Sequence, residues 1–165
     1  MPTIHDFNEA CLNGESARVE QILRDKPEFL NKKGGGGQTG LMWAAFYNRT
    51  ETLKLLLSKP DVDLSLQNKE GSTAIILASL KNSVDCLKLL LLHPKCTKAI
   101  VETENFWQET AETYAKSRGH TEFEKLLKSF KQERQDAVQG SFGKMMSPQF
   151  SSAVPDCNSC LEKYR

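Results

Sequence analysis

Cys157 and Cys160, separated by two residues, have the spacing most suggestive of chemistry in this chain. A C-x-x-C pair supplies half of a structural zinc site, or a redox dithiol. Zinc needs two more ligands; a second cysteine pair is absent, and His5, His93 and His120 are not at ligand spacing. A redox dithiol belongs at the start of a helix in an α/β domain, which the chain lacks. The pair is therefore read as incidental. Four glycines at 34–37 suggest a phosphate cradle, but the lysine and hydroxyl residue that complete one do not follow. They read as a lengthened turn. His93, before Pro94, and His120, after Gly119, are placed as structural residues, and Ser147-Pro148 is a weak phosphorylation signal. No nucleophile is matched to a base, so the sequence assigns no catalytic residue, no metal ligand and no cofactor.

What must position any functional residue is a repeat. Thr39, Ala44, Asn48, Leu53, Leu56, Leu57 and Pro60 reappear thirty-four residues on as Thr73, Ala78, Asn82, Leu87, Leu90, Leu91 and Pro94. The same step backwards reaches Ala10, Gly14, Val19, Ile22 and Leu23. A fixed period of this size means a stacked array in which each unit has an apolar face that only its neighbours bury. Within a unit the apolar spacing predicts two helices, as in Ile4, Phe7, Ala10 and Cys11 followed by Val19, Ile22 and Leu23. In the next unit Thr39 caps a helix over 41–47, and a partner follows over 50–58. The joints are Gly14, Asn48, Asn82 and Gly119, residue types that accept the left-handed conformation ending a helix.

The fourth unit is offset, because Thr110 follows Thr73 by thirty-seven residues and places three extra residues in the 97–108 connection. Its helices are polar, with Glu112, Lys116, Glu122, Glu124 and Lys128 around Tyr114, Ala115, Phe123, Leu126 and Leu127, as befits a terminal unit with one face in water. The last helix is expected to run through Phe130 to about Val138. Beyond it the composition turns to Gly, Ser, Pro, Met and Asn, and a disordered tail over 139–165 is expected.

Charge and composition narrow the function classes. Lys plus Arg number 22 against 21 Asp plus Glu, which withholds the positive field that non-specific binding of nucleic acid or anionic membrane requires. No apolar run approaches a membrane span, and the N-terminal residues do not form a signal peptide. An odd count of five cysteines, with Cys11, Cys86 and Cys96 scattered through the repeats, suits a reducing compartment. The expectation is a cytoplasmic, monomeric protein, with the nucleus second.

GQTGLMWAAFYN, GSTAIILASLKN and TAETYAKSRGH, each followed by a leucine-bearing helix, resemble the ankyrin repeat: a turn glycine, T-P-L-H-x-A-A, a joint glycine and paired leucines. The resemblance spans about residues 4–130. It implies an all-α helix–turn–helix solenoid of about four units, at 4–33, 34–67, 68–104 and 105–138, joined by β-hairpin-like loops. The family's proline is replaced by Gly40, Ala74 and Ala111, and its histidine by Met42, Ile76 and Thr113. Loss of the histidine's hydrogen bonds implies looser hairpins.

The resemblance also implies binding of a protein on the concave side, through first-helix ends and hairpin tips. Carried over, these positions are Leu12 and Asn13, Phe46 and Tyr47, Leu80 and Lys81, Ser117 and Arg118 for the helix ends. For the hairpins they are Gly36 and Gln38, Lys69, Glu70 and Ser72, then Phe106, Trp107 and Glu109. Phe46, Tyr47, Leu80, Phe106 and Trp107 are large and apolar where water is expected, which marks either a binding hot spot or local packing. Trp43 is expected in the core. The function implied is a non-catalytic interaction module whose partner is one or more proteins of unknown identity. The alternatives are an adaptor centred on the tail, or a regulatory or recruiting subunit of an enzyme complex.

Overall fold

The computed structural model describes residues 1–143, with side-chain environments for 1–134. Its helices are α1 (Ile4–Asn13), α2 (Ser16–Asp25), α3 (Gly40–Phe46), α4 (Thr50–Leu57), α5 (Ala74–Leu80), α6 (Val84–Leu92), α7 (Lys98–Val101), α8 (Ala111–Ser117) and α9 (Thr121–Gly143). No strand occurs among the described residues, and none of their helices is long and apolar enough to cross a membrane. The expected all-α repeat architecture is what forms.

Local chemistry sets the helix limits. Thr3, Thr39, Thr73, Thr97 and Thr110 each accept a hydrogen bond from the third amide of the helix they precede, which satisfies a donor the helix cannot. At the joints φ is +83° for Gly14, +54° for Asn48 and Asn82, and +69° for Gly119. The chain thus turns back sharply, and each second helix lies against its first.

A compact unit extends from Met1 to Gln132. In it α1, α3, α5 and α8 pack side by side as one row, and α2, α4 and α6 as a second. Ala10, Ala44, Ala45, Ala78, Ser79 and Ala115 are fully buried where first helices press together. Gly40, which replaces the family's proline, has the same cause: a Cβ there would lie 2.6 Å from the Phe7 ring and 2.7 Å from Cys11 Sγ. Leu53, Leu56, Leu87 and Leu90 are fully buried from the second row, whereas Leu57 is half-buried.

The hairpins close by one rule. Gly34, Asn68 and Asn105 donate their amides to the carbonyls of Gln38, Ser72 and Glu109. Adjacent hairpins are joined by Lys69 N–H to the Gly36 carbonyl and Phe106 N–H to the Glu70 carbonyl, each at 3.0 Å. Gln67 Nε2 adds bonds to the carbonyls of Gly71 (2.6 Å) and Glu104 (3.2 Å). The bonds expected to be missing with the family's histidine are therefore supplied by main chain and Gln67, while Met42 and Ile76 in its place are core residues. The lengthened connection before the fourth unit contains α7, a single turn capped by Thr97.

Side chains tie unit to unit at both ends of the helices. Past the joints, Arg49 Nε donates to the Leu12 carbonyl (2.8 Å), Ser83 Oγ to that of Phe46 (3.3 Å) and His120 Nδ1 to that of Ser79 (2.8 Å). Arg49, Ser83 and His120 occupy one position in successive repeats; the first two reach equivalent carbonyls, and His120 reaches one a residue earlier, so three unlike side chains make the same kind of link. At the other end His93 Nε2 donates to the Leu57 carbonyl while Nδ1 accepts the Lys95 amide, which requires the neutral ring. Burial holds its pKa below the ordinary histidine value.

In one respect the sequence misleads. α9 continues to Gly143, past the end expected near Val138. Helix propagation adds one hydrogen bond per residue once a turn exists, which carries the backbone through Gly140 despite its low propensity. The expected tail beyond Gly143, with Ser147, Pro148, Cys157 and Cys160, lies outside the described residues.

Stability measurements check this arrangement in three ways. Leu56→Ala and Leu90→Ala should each cost about 2–5 kcal/mol in denaturant unfolding, because the stack couples neighbouring units; unchanged midpoints would show the repeat register to be wrong. Gln108 stands at φ +60°, at the hairpin position that Gly37 and Gly71 fill in earlier units. Gln108→Gly should raise stability by up to about 1 kcal/mol, and a lower melting temperature would contradict the strain. The lowered His93 pKa means that its contribution is complete above the unfolded value near 6.5 and is lost as pH falls through the folded value. Unfolding curves of His93→Gln should be less pH-dependent than wild type below pH about 6.5.

Candidate interaction surface

Residues at the ends of the first helices make a contiguous patch. On α3, Trp43 and Tyr47 are one turn apart and stack with ring centroids 6.2 Å apart and planes at 21°. Phe46 meets Tyr47 edge-on, at 5.0 Å and 77°. From the next unit, Lys81 places Nζ 5.1 Å from the centre of the Phe46 ring, within cation–π range. Trp43, expected in the core, is half-buried and packs against the core cluster, with its ring stacked on Tyr47.

Exposure differs residue by residue. Phe46 and Leu80 are half-buried against the core, whereas Tyr47 is 41% exposed. Lys81, Ser117 and Arg118 are exposed, with Ser117 Oγ donating to the Tyr114 carbonyl. At the array's start Leu12 is half-buried, and Asn13 is exposed and donates to Glu15.

On the hairpins, Lys69 and Glu70 stand at an exposed tip, Gly36 is exposed, and Gln38 and Glu109 are half-buried. Ser72, expected to face water, is 2% exposed. Its amide donates to Asn68 Oδ1 and its carbonyl closes the hairpin, so it is consumed by the turn. Phe106 and Trp107 are 74% and 61% exposed. A Cβ at Gly71 would lie 2.9 Å from the Phe106 ring, so that ring leans on the preceding hairpin while most of it stays in water. The ring contacts of the α3 set include neither Phe106 nor Trp107.

The groups that chemistry would use are placed elsewhere. Cys11 and Cys86 are buried free thiols, and Cys96 is buried. Burial pushes the Cys11 thiol far up and, with Asp85 nearby, that of Cys86 up to about 12, so neither ionises near neutral pH. Among the described residues no group of three or more His, Cys, Asp and Glu side chains is arranged to hold a metal ion.

The linking bonds past the joints were not legible in the sequence. Arg49, Ser83 and His120 share a register position and nothing else, so only the period itself could have signalled a common role.

Comparison with known proteins agrees with the geometry. A stretch of 58 residues is 36% identical to the Palmitoyltransferase AKR1 of Naumovozyma castellii, covering 35% of this chain and 8% of that protein. The chain thus matches a small part of that relative's length, and the likeness carries no specific activity with it. A family profile described as ankyrin repeats (3 copies) matches residues 7–104. Ankyrin repeats are typically non-catalytic and serve in protein–protein interaction. With more than half of its residues matched, and with helix pairs reversing through left-handed joints and hairpins bonded one to the next, this chain belongs to the ankyrin-repeat family.

Proposed function

We propose that the chain is a non-catalytic interaction module that holds a partner protein across the ends of its first helices and the tips of its hairpins. The carrying observation is the aromatic and cationic patch in which exposed Tyr47 and Lys81 sit against half-buried Trp43 and Phe46. Tyrosine, tryptophan and cations at a partly covered surface are what binding hot spots favour. Leu80, Ser117 and Arg118 extend the patch along the row. Lys69, Glu70, Phe106, Trp107 and Glu109 form a second set on the hairpins. Ser72 is left out, since its polar groups are used within the turn. The buried free thiols of Cys11 and Cys86 suit a reducing compartment, and the cytoplasm is the proposed site of action, with the protein as a monomer.

A second reading is a regulatory or recruiting role in an enzyme complex, with the C-terminal tail, residues 139–165, as main contact. It is favoured by the stretch that resembles part of a protein named a palmitoyltransferase.

Affinity purification separates the readings, using the intact chain, the chain ending at Gly143, and a triple variant Phe46→Ala, Tyr47→Ala, Trp107→Ala shown to retain its helicity. The first reading expects partners to weaken by about tenfold or more in the triple variant and to survive truncation. Partners lost only on truncation, or a co-purifying activity that changes when the chain is added, would support the second.

A further inference from the structure

Tyr47, Lys81 and Arg118 each directly follow the last residue of their helix, α3, α5 and α8, so they occupy one position in three successive units. The row runs from aromatic to cationic. Lys81 Nζ is held over the Phe46 ring, which joins the two chemistries. The C-terminal dipoles of α5 and α8 favour a cation at each end, so neither charge needs a carboxylate of this chain to stay in place.

Carboxylates on the flanking helices are committed to other cations: Glu15 to Arg18, Glu51 to Lys54, Glu122 to Lys88 and Glu124 to Lys128. Of the other acids near the row, Glu9 interacts with Arg18 on the first unit, Asp85 lies in the first turn of α6, in the second row, Glu70 stands at a hairpin tip, and the half-buried Glu109 bonds the Tyr114 hydroxyl, which also feels the charge of Arg118. Among the described residues neither Lys81 nor Arg118 forms an ion pair, which leaves both able to meet a charge from outside.

From this row we infer that the partner presents an acidic segment in extended form, with one aromatic or branched apolar residue on the α3 rings and carboxylates reaching Lys81 and Arg118. The inference rests on the interaction reading above and specifies the chemistry of the partner. Spacing follows from the stack. Adjacent first helices lie about 8–10 Å apart, and an extended polyproline II segment advances about 3.1 Å per residue and returns to the same face every three residues, so one unit corresponds to about three partner residues. The segment therefore carries its acids at three-residue steps from the apolar anchor. A phosphate backbone fits less well. The net charge is +1, which withholds the positive field that a phosphate backbone needs.

The test is selection of random peptides displayed on phage against the full chain, followed by titration of the enriched peptides. The expected peptides pair an aromatic or branched apolar residue with Asp or Glu three and six positions away. Their affinity should fall by about tenfold in Lys81→Glu with Arg118→Glu, and also as salt is raised towards about 0.5 M. Lys125→Glu, an exposed cation on α9, should leave it unchanged. Peptides lost with Phe46→Ala and Tyr47→Ala but indifferent to the charge reversals would overturn the acidic partner and leave the interaction reading standing. Peptides indifferent to both sets, or no enrichment at all, would bring down both. A labelled oligothymidine that binds and is released by the charge reversals would overturn the inference in favour of nucleic acid.

Discussion

A helix pair of this chain cannot bury its own apolar face. α3 and α4 alone would leave Leu41, Met42, Leu53 and Leu56 against water, and each is closed only when α1 and α2 lie on one side and α5 and α6 on the other. Burial of one such leucine is worth about 1.5–3 kcal/mol, so the fold is held by contacts between units more than within them. Other features serve that stacking. Small residues let the first helices approach, and Gly40 takes the family's proline position because Phe7 fills the space a side chain would need. Carbonyls at the helix ends are tied across units by Arg49, Ser83 and His120.

The stacking also dictates where function can lie. First helices consume their small faces against one another and second helices consume their leucines, which leaves helix ends and hairpin tips free. Those positions carry the least regular residues of the repeat: Tyr47, Lys81 and Arg118 in one row, Lys69 and Phe106 in another. Irregularity at positions with no packing duty is where the chain differs from a generic member of its family. The partner's chemistry has to be read there.

Replacement of the family's histidine by Met42 and Ile76 shows how one structural need is met by different means. The imidazole's polar links are gone, yet adjacent hairpins are joined through main-chain groups and Gln67, and the vacated positions join the core. Ser72 illustrates the converse. Its register marks it as a contact residue, but closing a five-residue turn draws its amide and carbonyl inward.

The period, the joints and the helix pairs follow from the sequence by itself, because they rest on local chemistry repeated at a fixed step. Glycine or asparagine must stand where φ is positive, threonine where a helix needs a cap, and leucine where a stripe must be apolar. The all-α array and its polar terminal unit were legible for that reason. Exposure was not. Whether Trp43 is core or surface, whether Phe46 is covered, and whether Ser72 faces water depend on how closely neighbouring units approach, which is a distance between residues far apart in sequence. The lean of the Phe106 ring on Gly71 and the placing of Lys81 over Phe46 are of the same kind. Local propensity determined the parts, and only packing between units decided which side chains remain for a partner, because burial is a property of the stack and not of the residue.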